Sequence, residues 1–443
     1  MYTKKFVFNL VAVMTIAAFI LSACGTAATP TAAPAPVTQA PVPATQAPVP
    51  ATVAPATAAP ATTAPATTAP AAGATINYTF DGTGVAQGYK GTVVSTVPAD
   101  LVAACKTEGM LTIIATPPNW ANYGEIFADF EATTGVQLNS LDPNAGSADE
   151  LAAFEANKGN KGPQAPDIVD VGYAYGDQGV KAGDYQPYLG TYASKLPATT
   201  LGIPTSDPTG LWTIGYFGIM VIETNTAVVQ NPPKNWADLL KPEYKGQVAL
   251  AGDPQSSNQA IMAVYAAALG NGGSLDNAQP GLDFWKKVND AKNFVPVIAK
   301  VGTIAQGATP IELAWNYNAL GDQQSLAGNP PIEIDYPSPS IGGAYVQAIS
   351  AYAPHPNCAK VWMEIIHSDP GQIAWIKGGA SVVSQADMQT RAVIPADVLK
   401  MLPDPTVLAA AVAPTVDQLT KAKALITTGW LSTTGVAIPT AVP

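Results

Sequence analysis

The sequence predicts an α/β fold with two lobes, and three observations lead to this prediction. Of the 443 residues, only about 370 follow a low-complexity segment, which is enough for two lobes with cores of their own. Apolar runs of strand length alternate with helix-forming stretches through residues 110–171. A second block of the same kind begins near Ile219. This alternation favours a mostly parallel sheet with helices on both faces.

The elements of the first block follow one another closely. Residues 110–115 form a continuous apolar run, which favours a strand buried on both faces. Apolar residues at helical spacing predict a helix over 123–134, and Gly135 is a typical residue to end it. The remaining elements are a strand, a helix and a strand at residues 136–138, 147–158 and 166–171.

The second block repeats the pattern with longer connections. It has predicted strands at residues 248–250 and 310–315, with helices at 258–269 and 282–291 between them. Helix-forming sequence returns at residues 357–368 and 371–377. After the first apolar stretch of the chain, no run approaches the 18 residues of a membrane span.

The N-terminus indicates export. Lys4 and Lys5 precede an apolar stretch that ends in Leu-Ser-Ala-Cys at residues 21–24. Small residues directly before a cysteine resemble a bacterial lipobox. The resemblance implies lipid transfer to Cys24, cleavage before it, and a protein anchored to the extracytoplasmic face of the cell membrane. A plain secretory signal with an incidental cysteine is the alternative.

Residues 25–73 consist almost entirely of Pro, Ala and Thr. Such a segment cannot bury a core, and its prolines favour extended polyproline II structure. At about 3.1 Å per residue it would reach on the order of 150 Å. We therefore expect a disordered tether between the membrane and the folded body.

Composition narrows the range of partners. Charged residues make up 12% of the chain and the formal net charge is −11, which argues against nucleic acid. Two histidines are too few for a histidine-based metal site, and we expect no metal and no cofactor. If Cys24 carries lipid, Cys105 and Cys358 remain as a pair in an oxidising compartment. A disulfide and two buried thiols both stay open for that pair.

Residues 233–250 (PKNWADLLKPEYKGQVAL) resemble a signature of bacterial ABC-transporter solute-binding proteins. The matching subgroup includes iron(III)-, polyamine-, phosphonate- and sugar-phosphate-type binders. Further matches lie at residues 108–109, 130–136, 353–360 and 368–372, and the similarity covers residues 105–400. It implies a two-lobed periplasmic-binding-protein-like (type II) fold with a ligand cleft between the lobes. It also implies a monomeric receptor, not an enzyme, that delivers a small molecule to an ABC permease and its ATPase.

The resemblance suggests a division of the chain into segments. These are a lipoprotein signal peptide (1–23), the lipidated cysteine with its linker (24–75), lobe 1 (76–215), lobe 2 (216–330), the return segment of lobe 1 (331–380) and a C-terminal helical segment packing on the lobes (381–443). Chain crossings between the lobes are expected near residues 212–221 and 315–339.

Candidate ligand-binding residues follow predicted strands, because open α/β sheets bind ligands outside the carboxyl ends of their strands. They are Asn119, Trp120, Tyr173, Tyr175, Ser256, Ser257, Asn258, Trp315, Asn316, Tyr317, Gly343 and Tyr345. Residues 315–317 pair an aromatic wall with an amide and are the best-supported segment. Residues 256–258 precede a helix, whose N-terminus suits an anion, although ordinary capping explains them equally.

The ligand class can be weighed in part. Iron-binding relatives use adjacent tyrosines, and no Tyr-Tyr pair occurs in this sequence. A polyamine needs carboxylates and aromatic faces, and Asp170, Glu312 and Asp322 lie near strand ends, so a polyamine stays open. The low charge and the serine-rich helix start favour a phosphonate, phosphorylated or zwitterionic solute.

A lipid-anchored extracytoplasmic hydrolase is the alternative from another functional class. The sequence contains no Gly-x-Ser-x-Gly elbow and no zinc motif, and we assign no catalytic residue.

Overall fold

The computed structural model of the chain describes residues 89–439. The predicted signal peptide, Cys24 and the Pro/Ala/Thr segment lie outside these residues, so what the sequence predicts for them stays a prediction. Within the described part, every strand and helix named above is present, with ends that differ from the prediction by at most three residues.

The first lobe contains a parallel sheet. Its strands β1 (Met110–Ile114), β2 (Gln137–Leu141) and β3 (Ile168–Gly172) pair in the order β2-β1-β3. The helices of this part are α1 (Ala99–Glu108), α2 (Tyr123–Thr134), α3 (Ser147–Ala156) and α4 (Tyr173–Ala182). Short strands follow at β4 (Tyr185–Gln186), β5 (Thr199–Thr200) and β6 (Ile203–Pro204).

A single long strand, β7 (Thr213–Asn225), joins the two lobes. All thirteen of its residues are buried, as expected for a nearly continuous apolar run. Residues 213–219 pair antiparallel with β12 (Gly342–Ser350) in the first lobe. Residues 220–224 pair antiparallel with β10 (Ile311–Trp315) in the second lobe. The chain returns to the first lobe between β11 (Ile332–Asp335) and β12.

The second lobe is built around β10. Strands β8 (Val248–Leu250) and β9 (Phe294–Ile298) continue the sheet in parallel with it, and β11 pairs antiparallel with β7. Its helices are α5 (Asn258–Leu269), α6 (Gln279–Asp290), α7 (Val301–Ala305) and α8 (Asn316–Leu326). The sheet is therefore mixed, because β7 and β12 run antiparallel to the strands beside them. The expectation of a mostly parallel sheet holds only for the outer strands of each lobe.

The last part of the chain packs on this framework. It contains α9 (Pro356–Ile366), α10 (Asp369–Lys377), β13 (Ser381–Val382), α11 (Gln385–Thr390), α12 (Pro405–Ala410) and α13 (Val416–Thr434). Helix α13 contacts both lobes, with Trp430 against Trp285 of α6 and Lys423 Nζ 3.1 Å from the centre of the Tyr175 ring of α4. Five 3₁₀ turns lie at residues 120–122, 191–195, 236–240, 242–244 and 398–401.

A disulfide joins Cys105 of α1 to Cys358 of α9, across 253 positions of sequence. Both cysteines are fully buried. The bond ties the beginning of the first lobe to the segment that returns to it. None of the helices within residues 89–439 combines the length and the hydropathy that a membrane-spanning helix needs.

Candidate ligand-binding cleft

A cleft lies between the lobes, where the loops that follow β1 and β2 face the loops that follow β8 and β9. It has two adjoining compartments of about 240 Å³ and about 290 Å³. Trp120, Asn144, Ala251, Gln259 and Lys300 line both compartments. A solute in either compartment would therefore contact both lobes, and a long solute would occupy both compartments.

The first compartment is bounded by residues 142–150 of one lobe and residues 251–259 of the other. Two helices begin here, α3 at Ser147 and α5 at Asn258, so the N-terminal ends of both helices, which carry partial positive charge, lie at the compartment. Ser257 Oγ accepts a hydrogen bond of 3.5 Å from Ala260 N and caps α5. Ser257 therefore caps helix α5 and also lines the cleft.

The lobes touch beside this compartment. Ala148 N and Tyr175 Oη of the first lobe both donate to the carbonyl oxygen of Ser256, at 3.4 and 3.1 Å. A Cβ atom at Gly172 would lie 2.0 Å from Cγ of Asn258, so only glycine permits this close approach. The described structure is closed at this edge of the cleft.

The second compartment has an acidic floor. Glu312 and Asp322 line it, and Glu223 lies behind them as the cross-strand partner of Glu312. Oxygen atoms of these three carboxylates lie within 4.8 Å of one another. Burial raises the pKa of Glu312 to about 8 and that of Asp322 to about 7. Burial and the two neighbouring carboxylates raise the pKa of Glu223 well above its ordinary value.

Trp120 stands between the compartments and is held from below by a chain of hydrogen bonds. Its Nε1 donates to Tyr216 Oη at 2.6 Å, and Tyr216 Oη donates to Asp170 Oδ2 at 2.6 Å. Tyr123 Oη and Gln347 Nε2 also donate to the carboxylate of Asp170. Burial raises the pKa of Asp170 to about 7, although these hydrogen bonds act in the opposite direction.

The cleft is strongly acidic. Seven carboxylate side chains line it, namely Asp142, Asp149, Glu150, Asp170, Asp253, Glu312 and Asp322. Lys300 is the one basic side chain among the lining residues, and burial lowers its pKa. An excess of negative charge in a concave, partly desolvated site attracts cations.

The structure divides the predicted site residues into two groups. Six line the cleft, namely Asn119, Trp120, Ser256, Ser257, Asn258 and Tyr345. The other six do not appear on its walls, namely Tyr173, Tyr175, Trp315, Asn316, Tyr317 and Gly343.

The segment that the sequence favours most, residues 315–317, lies beneath the cleft rather than on its wall. Trp315 and Tyr317 are fully buried, and Trp315 Nε1 donates to Tyr345 Oη at 3.3 Å. Asn316 accepts from Ile219 N and donates to Gly379 O, so its amide serves the fold. The reason is topological, because β10 is a central strand and its end is covered by its neighbours.

The other three predicted residues outside the cleft wall, Tyr173, Tyr175 and Gly343, also make contacts that serve the fold. Tyr173 Oη donates to Pro204 O, and its ring packs against Trp212. Tyr175 contacts Ser256 and Lys423. A Cβ at Gly343 would lie 2.3 Å from the Trp315 ring, so this glycine makes room for the buried indole.

Sequence reasoning missed the loop at residues 142–150, together with Gln259, Lys300 and Asn318. A signal for the loop exists, since residues 142–146 (Asp-Pro-Asn-Ala-Gly) join a predicted strand to a predicted helix at the carboxyl edge of the sheet. Gln259 and Asn318 lie inside helices, where the sequence carries no comparable signal.

Residues 164–400, more than half of the chain, match the model of the bacterial extracellular solute-binding protein family. The chain belongs to this family. The resemblance noted in the sequence is thereby confirmed at family level. The family consists of binding proteins, in agreement with the prediction that the chain is not an enzyme.

Two solved structures show the same fold as this family member. One is the periplasmic binding protein AfuA from Actinobacillus pleuropneumoniae with fructose-6-phosphate bound, with a TM-score of 0.59 and 20% identity, covering 74% of this chain and 99% of that one. The other is the periplasmic binding protein MotA from A. tumefaciens B6 with glucopine, with a TM-score of 0.57 and 15% identity, covering 73% and 99%. The two-lobed type II fold predicted from the sequence is therefore confirmed.

A curated relative is more similar in sequence over part of its length. The spermidine/putrescine-binding periplasmic protein of Escherichia coli K12 is 29% identical over 242 residues, which cover 51% of this chain and 64% of the relative. This chain therefore spans less than two thirds of the length of that relative.

Proposed function

We propose that this chain is the solute receptor of an ABC importer and that it captures a small amine-bearing compound, such as a polyamine or an amino zwitterion. The observation that carries this proposal is the acidic cleft, in which seven carboxylates face one lysine around the indole of Trp120. Carboxylates neutralise ammonium groups, and an indole face attracts a cation within about 6 Å of its ring. The name of the E. coli relative supports this ligand class.

An anionic group on the solute is supported by a separate observation. Lys300 and the N-terminal end of α5 at Asn258 lie at the first compartment, together with Ser256 and Ser257. A phosphonate, phosphate or carboxylate would find N–H donors and a cation there. Phosphonate, phosphorylated or zwitterionic solutes, which the sequence favours, therefore stay as a second candidate, and a zwitterion would satisfy both ends of the cleft.

Iron(III) has less support. It is a hard cation that prefers oxygen ligands, and Tyr345 is the one tyrosine among the lining residues. No tyrosine pair lines either compartment. The second compartment offers the carboxylate oxygens of Glu312 and Asp322 instead of phenolate oxygens.

The rest of the proposal concerns the place of the receptor. Lipid attached to Cys24 would hold the body at the extracytoplasmic face of the membrane, beside the permease and its ATPase. One acyl chain anchors weakly and two or more anchor stably. Palmitate labelling of the protein in cells, compared with Cys24→Ala, tests the anchor: equal labelling of both proteins would contradict it.

A ligand screen on the purified full chain tests the receptor function. Putrescine, spermidine, 2-aminoethylphosphonate, fructose-6-phosphate and ferric citrate are compared by thermal shift and by isothermal titration calorimetry. A specific ligand raises the unfolding midpoint in a concentration-dependent way. We expect the amines to bind, and Trp120→Ala and Asp253→Asn to weaken their binding.

The matched control is Asp397→Asn, which removes an exposed carboxylate outside the cleft and should leave the affinity unchanged. Binding of fructose-6-phosphate alone would favour the second candidate over the amine. The absence of binding by every compound would count against the receptor function.

A further inference from the structure

The three carboxylates of the second compartment form an arrangement that an organic solute alone does not explain. Glu223 and Glu312 are paired residues on adjacent antiparallel strands, and Asp322 reaches them from α8. Their oxygens lie within 4.8 Å of one another. Like charges this close repel one another strongly where water is excluded.

Glu223 provides the second observation. It is 1% exposed, and neither of its carboxylate oxygens has a hydrogen-bond partner in the described structure. A buried carboxylate without donors is strongly unfavourable unless a cation or a proton compensates for its charge. Since Glu223 lies directly behind Glu312 and Asp322, its oxygens point to a cation held among the three.

Two further polar side chains line the same compartment. Asn318 lines the compartment, and its Oδ1 is buried without a donor while its Nδ2 donates to Gln259 Oε1 at 3.0 Å. Lys300 also lines the compartment, but within residues 89–439 its ammonium forms neither an ion pair nor a hydrogen bond with these carboxylates. When all three carboxyl groups are ionised, as metal ligands are, they and one ammonium group leave two negative charges.

We infer that Glu223, Glu312 and Asp322, with Asn318 Oδ1 as a further oxygen ligand, form a site for a hard divalent cation such as Ca²⁺, Mg²⁺ or Mn²⁺. Such ions bind carboxylate and amide oxygens at about 2.0–2.6 Å. Three oxygens within 4.8 Å of one another reach a common ion at these distances after small shifts of their side chains. The charge of a divalent ion cancels the two remaining negative charges.

The position of Glu223 favours a metal ion over the ammonium group of a solute. Glu223 does not line the cleft, so a solute amine with its alkyl chain would stop at Glu312 and Asp322. A bare ion is small enough to contact all three carboxylates. This inference does not depend on the class of organic ligand, because the first compartment keeps five carboxylates of its own.

The test uses the purified full chain, freed of metal with a chelator and transferred to chelator-free buffer without amines. CaCl₂, MgCl₂ and MnCl₂ are titrated by calorimetry and by thermal shift. We expect at least one ion to bind at a single saturable site and to raise the unfolding midpoint. Glu223→Gln keeps the shape of the side chain and should weaken that ion by about tenfold or more.

The control is Glu333→Gln on the neighbouring strand β11, an acidic residue paired with Lys234 at the surface. It should leave the affinity for the ion unchanged. In the metal-free state, Glu223→Gln should melt at a higher temperature than the wild type, because a neutral amide replaces a carboxyl group whose charge is opposed by burial and by its neighbours. That result would also show that the variant folds.

Three results would overturn the inference. One is that none of the ions binds saturably at millimolar concentrations. Another is that an ion binds with equal affinity to the wild type and to Glu223→Gln. The third is that Glu223→Gln weakens putrescine but no metal ion, which would make the carboxylates an ammonium site and leave the proposed receptor function standing.

Discussion

Trp120 Nε1 donates a 2.6 Å hydrogen bond to Tyr216 Oη, and this bond fixes a side chain of the cleft to the strand that joins the two lobes. The two residues are 96 positions apart in sequence. Tyr216 is fully buried and passes the hydrogen bond on to Asp170. The orientation of the indole is therefore set by the sheet rather than by the loop that carries it.

Replacing Tyr216 by Phe should weaken both ligand binding and the fold. The change leaves the indole N–H without its acceptor and removes one donor from Asp170. We expect a loss of about 1–3 kcal/mol in the free energy of unfolding and an affinity for putrescine or spermidine lower by about three- to tenfold. Chemical denaturation and calorimetry measure the two effects.

The matched control is Tyr188→Phe, which removes a hydrogen bond to Glu364 in the first lobe, away from the cleft. It should lower stability to a similar degree and leave the affinity unchanged. If both variants lose affinity equally, the hydrogen bond between Trp120 and Tyr216 has no special part in binding.

Replacing Gly172 by Ala should hold the cleft open. The added Cβ would lie 2.0 Å from Cγ of Asn258 on the opposite lobe, so the lobes cannot approach as closely. We expect weaker ligand binding and a smaller contraction on adding ligand, as measured by small-angle scattering. Gly302→Ala is the control, because its Cβ would meet no atom within 4 Å. Unaltered binding in Gly172→Ala would show that closure at this contact is not needed.

Removing the disulfide between Cys105 and Cys358 should lower stability without changing the cleft. The bond closes a loop of more than 250 residues and lies in the first lobe away from the lining residues. We expect the double replacement by Ala to reduce the free energy of unfolding by about 2–5 kcal/mol, with unaltered ligand affinity. A reducing agent should lower the melting midpoint of the wild type and not that of the variant.

The contribution of His367 to stability should fall in acid. Burial lowers the pKa of His367 to about 3, and its Nε2 lies 2.8 Å from Thr213 Oγ1. In the unfolded chain the pKa is near 6.5, so between about pH 6.5 and 3 the unfolded state binds a proton that the folded state does not. The contribution of His367 to the free energy of unfolding should therefore decrease as the pH falls through this range.

The variant His367→Gln isolates this effect from the buried carboxylates Asp129 and Glu131. Burial raises the pKa of each of these to about 7, so they act in the opposite direction in both proteins. We expect the free energy of unfolding of the variant, measured by denaturation at pH 7, 6, 5 and 4, to rise relative to that of the wild type as the pH falls. Parallel curves would contradict the assignment of the acid sensitivity to His367.

Replacing Trp315 by Ala should damage the fold, in contrast to the role that the sequence suggests for it. Trp315 is fully buried and contacts Gly343 and Tyr345. The cavity left behind should cost about 3–5 kcal/mol of unfolding free energy. A stable variant that has lost only ligand affinity would contradict this prediction and indicate that Trp315 contacts the ligand.

The comparison of Ser257 with Trp315 explains why the sequence predicts the site only in part. Both residues lie at the junction of a strand and a helix, and the sequence favours Trp315 over Ser257 as a cleft residue. Ser257 follows β8 and opens onto the other lobe, whereas Trp315 ends the central strand β10 and is covered by its neighbours. The local sequence pattern shows that a residue lies at the end of a strand. The order of the strands in the sheet decides whether that residue is exposed to the cleft.

The sequence by itself determined the strands and helices, the solute-binding signature and the two lobes, because these depend on apolar spacing and on residues that are close along the chain. Only the tertiary structure decided which residues meet in the cleft. The pairing of Glu223 with Glu312 depends on strand register, and the support of Trp120 by Tyr216 depends on how β7 lies beneath a distant loop. Such contacts join residues about a hundred positions apart, and the packing of the whole domain fixes them rather than any local preference.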